Sequence, residues 1–206
     1  MTNLDYTYDA LIGRNQSWGE YFFVYEETVK KLYEEIERTK TVDVYAAPFL
    51  FLVRHTLELG FKYNIHALSK YSEKDYGLDL EGNIRKGHVL PPLHKAMVDH
   101  FEELSKAEGK NSSTYIEFHQ MSQKLGKLVN FFDSIDRGSF AFRYPTDNKG
   151  VKCFDFQERV NLKEIKEKYD ESSVLLSHTQ TVLQTFFDMI DDYRSQTTPE
   201  ESDYFF

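Results

Sequence analysis

The chain has 206 residues, a formal charge of −9 and a pI near 5.3, so no general attraction to nucleic-acid phosphates or anionic lipid is expected over its surface. The length suits one domain with a sizeable core, and 16% aromatic residues, among them 17 Phe and 14 Tyr, exclude a disordered composition. The single cysteine, Cys153, excludes an intramolecular disulfide framework and a thiolate zinc cluster, which makes a reducing compartment, the cytoplasm, the simplest expectation.

Met1 is followed by TNLDYTYDA, which lacks the basic start and apolar run of a secretory signal. The longest apolar run, residues 48–53, is too short for a bilayer, so no membrane is expected. The first dozen residues are polar and aromatic without period and read as an arm. Helix one opens at Ser17, where Ser17 and Glu20 have capping-box spacing, and Trp18, Phe22, Tyr25, Val29, Leu32 and Ile36 form its apolar seam. After a turn at 38–43, helix two covers 48–70, with Pro48 tolerable only in its first turns.

Between Tyr71 and Gly87 the helical period stops, and YGLDLEGNIRKG reads as a short hairpin with Leu78, Leu80 and Ile84 on one side. Helix three begins around Pro91 and Pro92 and buries Leu93, Met97, Phe101 and Leu104. Helix four has capping spacing at Thr114 and Glu117 and a seam from Phe118 to Ile135. Past Gly138, SFAFRYPTDNKGVKCFDF reads as a second small hairpin, with Cys153 as a buried strand thiol.

The last helix opens at Asn161. At ~35 residues it would be roughly 50 Å long, so it either runs the height of the bundle or breaks near Ser172 and Ser173. The fold class is therefore all-α: an up-and-down bundle of about five helices with one or two small β-hairpin insertions, one domain over 1–195 and an acidic tail over 196–206. No glycine-rich phosphate loop, GxSxG elbow or HExxH motif is present.

Helix two organises the chain. Phe49, Leu50, Val53, Leu57, Phe61, Ile65 and their neighbours make it apolar nearly all round, as in a helix that lies inside a core. Arg54, Glu58, Lys62 and His66 nevertheless recur at four-residue steps along one face, with His55 beside Arg54.

Two readings of that stripe are open. In one, Arg54, His55, Glu58 and Lys62 join His88 and Arg143 in a site where His55 takes a proton and Arg54 clamps a phosphate. In the other, Glu58 pairs with Arg54 and Lys62 along its own helix, and His88 and Arg143 hold neighbouring loops to it. A metal bound by His55 and Glu58 with His88 or His94 is the weaker option, and no metal or cofactor is expected. His94 and His100 read as surface or edge residues, and His119 and His178 as seam neighbours.

Three segments together resemble the HEPN superfamily of helical domains found in prokaryotic toxin and defence proteins. FLFLVRHTLELGFK is similar to the family's helix with an acidic residue before a lysine, here Glu58 and Lys62; GHVLPPLH to its His-x-Leu, here His88 and Leu90; and FRYPTD to its Arg-Tyr-Pro segment, here Arg143, Tyr144 and Pro145. The resemblance implies a helical domain that forms dimers, a binding surface from Lys62, His88, Arg143, Tyr144 and Asp147, RNA as ligand class and a partner protein encoded in the same operon. Catalytic members are metal-independent RNases marked by an arginine followed, after about four to six residues, by a histidine. No arginine here has that spacing: after Arg54 the positions hold Leu59, Gly60 and Phe61, and after Arg85, Leu90, Pro91 and Pro92. A binding or regulatory component is thus expected first, and an endoribonuclease built on Arg54, His55 and His88, or a plain oligomerisation module, second.

Overall fold

The computed structural model describes residues 9–11, 14, 16–73, 87–107, 109–155 and 159–197. Among them are six α-helices: α1 (Trp18–Thr39), α2 (Val42–Leu68), α3 (Leu90–Leu104), α4 (Ser113–Asp136), α5 (Leu162–Val182) and α6 (Gln184–Thr197), with a 3₁₀ turn, Ser105–Ala107, after α3. The all-α expectation holds, and none of these helices is long and apolar enough to cross a membrane.

The capping box of α1 forms as the spacing predicts: Glu20 N donates to Ser17 Oγ (3.1 Å), and Ser17 N donates to Glu20 Oε2 (2.9 Å). Its seam buries Phe22, Val29 and Ile36, and Lys40 closes it in a left-handed conformation. After Thr41 the chain returns as α2, which begins six residues before Pro48. Pro48 thus lies inside the helix, in its second turn, where the Val44 carbonyl loses its amide partner but is on an exposed residue open to water.

From Phe49 onward α2 is the hub of the bundle, packed against α1, α3 and α5, while α4 closes the ring by touching α3 and α5. The tightest crossing is at Gly60, where an added Cβ would lie 2.8 Å from Leu176 and 2.9 Å from Phe22. One turn on, the buried Asn64 amide donates to the Gly60 carbonyl (2.9 Å) and to the Leu176 carbonyl of α5 (2.8 Å). A small residue for approach and a polar one for register thus share this crossing.

Asn161 caps α5 as expected, its Oδ1 accepting from Lys163 N and Glu164 N. The break in the final helix comes at Leu183, not near Ser172 and Ser173. Those hydroxyls donate to carbonyls of their own helix, Lys168 and Asp170, and so leave the ladder intact. Beyond the break Phe187 stacks on Tyr71, with ring centroids 4.3 Å apart, and Tyr71 donates to Asp191.

Of the other expectations, three change and one lies outside the described residues. The first hairpin falls on residues outside those described, apart from its ends. The second reduces to one antiparallel bridge between Thr146 and Lys152, because Asp136 accepts from the amides of Phe140 and Ala141 and coils the chain where a strand would start. Cys153 accordingly lies in a bend, partly buried. His100 is no edge residue: it is 2% exposed and bonded through Nδ1 to Ser72 Oγ.

Gly60→Val should lower stability by about 1–3 kcal/mol, the cost of forcing extra carbon into a packed crossing. Gly138→Ala, where nothing lies within 4 Å of the added carbon, should stay within about 0.5 kcal/mol. Urea denaturation of the two variants beside the parent measures the difference.

Candidate functional site

Four-residue spacing puts Arg54, Glu58 and Lys62 in one row on α2, and all three are buried. Charged groups persist in a core only when paired and hydrogen-bonded. Here Lys62 Nζ donates to Glu58 Oε1 (2.7 Å), and Arg54 Nη1 lies 3.5 Å from Glu58 Oε2. The fourth member is Asp136, at the end of α4, with Oδ2 3.7 Å from Arg54 Nε. Two cations thus face two carboxylates.

Arg54 does more than pair. Its Nε donates to the Asp136 carbonyl (2.8 Å), and its Nη2 to the carbonyls of Arg137 (3.1 Å) and His88 (2.6 Å). The Asp136 and Arg137 carbonyls belong to the end of α4, where the helix leaves acceptors without partners and carries partial negative charge. Arg54 is therefore an internal C-terminal cap for α4 that also ties down the segment entering α3. With 1% of its surface exposed, the guanidinium is closed to a ligand. Burial pulls its pKa down against the attraction of Asp136 and Glu58, but a guanidinium stays charged in any case.

His88 and Glu58 form the exit from this cluster. His88 Nδ1 is 2.9 Å from Glu58 Oε1, and its side chain is 55% exposed. A carboxylate only accepts, so Nδ1 is the donor and Nε2 is the nitrogen left for other partners. Burial pushes the Glu58 carboxyl up, but hydrogen bonds from Lys62 and His88 outweigh it and hold it below its ordinary value.

The other predicted residues divide. His55 is stacked on Phe51 (5.7 Å, 5°) with Tyr25 edge-on (4.8 Å), and burial holds it toward the neutral form. Arg143 lies over the rings of Phe51 (5.9 Å) and Tyr144 (5.6 Å), at the rim above the cluster. Tyr144 in turn packs on Phe140. Asp147 serves its own turn, accepting from Lys149 N and Val151 N.

Asp136 and Trp18 join the site without having been singled out. Trp18 takes the Lys62 ammonium over its ring at 5.5 Å, and its place in the α1 seam hid that role. Asp136 had a signal: an acidic residue in the last turn of a helix opposes the helix dipole and calls for a cationic partner. Among the described residues no group of three His, Cys, Asp or Glu side chains is placed to hold a metal ion.

Comparison of the chain with family models, with curated proteins and with solved structures gives no match.

Arg54→Ala should cost about 3–5 kcal/mol, because Asp136 is left buried without its counter-ion and three backbone carbonyls lose their donor. Arg54→Lys should recover only part of that, since one ammonium cannot reproduce the fork. Both losses are read from chemical denaturation.

Glu58 releases its proton more readily in the folded chain than its ordinary value of 4.5, so its stabilisation is present above that value and lost as pH falls through the lowered one. Glu58→Gln should flatten this acid limb in melting curves taken from pH 7 downward.

Proposed function

We propose that this protein is a HEPN-like helical component of a prokaryotic defence or toxin-type system, acting by binding or regulation and not by RNA cleavage. It associates with itself and with a protein encoded beside it. The observation that carries the reading is the state of Arg54: buried, with its donors on three backbone carbonyls and a carboxylate. A guanidinium so engaged cannot also stabilise charge on a scissile phosphate, which requires donors aimed at the reacting group. The kinship is supported by the way three segments distant in sequence converge. Glu58 meets both Lys62 and His88, while Arg143 rests on Phe51 of the same helix.

One observation favours the second reading, a metal-independent endoribonuclease. The pair of buried Glu58 and exposed His88 is the arrangement in which a carboxylate orients an imidazole as general base. In that reading His88 Nε2 takes the proton of a ribose 2′-hydroxyl, and exposed Arg143 is a candidate for the phosphate.

Incubation of the purified protein with labelled RNA in chelator, beside Arg54→Ala, His55→Ala and His88→Ala, separates the two. The expected result is no cleavage above buffer by any of the four. Cleavage by the parent that is lost in a folded His88→Ala would overturn the binding reading and establish the second. Light scattering should give a mass of at least a dimer.

A further inference from the structure

Beside the row of Arg54, Glu58 and Lys62, the amino-terminal turn of α1, the outer face of α2 and Gln180 of α5 line a cleft of about 780 Å³. That is the size of a small-molecule pocket, roughly 300–1,000 Å³. Its walls are Trp18, Tyr21 and Tyr63, with Leu59 between them, and His55, His66 and Lys70 supply the polar edge. We infer that this cleft binds a small planar aromatic molecule carrying a single negative charge. The inference does not depend on the HEPN kinship.

Shape comes first. Tyr63 is a fixed wall: its ring stacks on Phe22 (6.0 Å, 16°) and meets Phe23 edge-on (5.9 Å), and Gly19 lies so close that an added Cβ would be 2.8 Å from it. An aromatic face held in place before the ligand arrives costs little ordering entropy and favours a flat partner.

Charge then limits the class. Among the described residues Lys70, exposed, is the one Lys or Arg lining the cleft. The two histidines are biased to the neutral form, in both cases chiefly by burial, and His66 Nδ1 is buried without a hydrogen-bond partner among the described residues. Lys62 lies near Trp18 but is held by Glu58. The amino terminus of α1 already has a carboxylate, Glu20, accepting from Gln16 N, Ser17 N and Ser17 Oγ. One cation with its partial charges already met matches one anionic group, whereas a phosphate dianion would bring a second charge with nothing to balance it.

Trp18 is the only tryptophan in the chain and lines this cleft, so its fluorescence responds to a ligand bound there. The probes form a matched set: 4-nitrobenzoate as the aromatic monoanion, 4-nitrophenyl phosphate at pH 8 as the dianion, and 4-methylcyclohexanecarboxylate as the non-planar acid, followed by calorimetry. Saturable quenching by 4-nitrobenzoate is expected, with a Kd below the millimolar range and at least about tenfold weaker binding of the other two. Ala67→Tyr, which fills the cleft, and Lys70→Glu, at its exposed rim, should each weaken 4-nitrobenzoate by about tenfold while melting like the parent. Non-saturating quenching, quenching unchanged in Lys70→Glu, tighter binding of the phosphate, or equal binding of the saturated acid would each overturn the assignment.

Discussion

The bundle depends on one buried guanidinium meeting three backbone carbonyls. Arg54 reaches the end of α4, 82 residues away in sequence, and the segment before α3, 34 residues away, from a fixed point on the central helix. Carbonyls at a helix end need donors, and here the donor comes from another helix instead of water or a following glycine. Because the donor is charged, it brings Glu58 and Asp136 with it, and the second carboxylate of that pair fixes the amides of Phe140 and Ala141. The loop that carries Arg143 and Tyr144 therefore starts from a position set by Arg54.

Burial and function divide along this cluster. Arg54, Lys62, Glu58 and Asp136 neutralise one another inside, and such a closed set serves register more than chemistry. What reaches the surface is His88, Arg143 and Tyr144, supported from below by groups that cannot move without uncovering a charge. A rigid base carrying an exposed imidazole, a guanidinium and a phenol is suited to recognising a partner, and this is where a binding reading and a catalytic one make their different demands.

His55 connects this rim to the cleft between α1 and α2. It lines the cleft, yet its ring also stacks on Phe51, over which Arg143 lies, and Arg143 covers Tyr144. A continuous run of rings and one guanidinium thus leads from the amino-terminal end of α1 to the loop after α4.

Much of this was legible in the chain itself. The seams of α1, α3 and α4 follow from three- and four-residue spacing, the caps at Ser17 and Asn161 from local chemistry, and the pairing of Arg54, Glu58 and Lys62 from helical geometry alone, since each involves residues within about one turn. Tertiary structure decided the rest. Alternating residues after Gly138 suggested strands, but Asp136, anchored beside Arg54 of another helix, accepts from the amides of Phe140 and Ala141 and coils the chain, and the serines offered as one place for a break in the last helix bonded to it instead. The use of Arg54 could not be read locally either: whether an arginine clamps a ligand or caps a helix depends on what lies opposite it, and α4 is brought there only by packing.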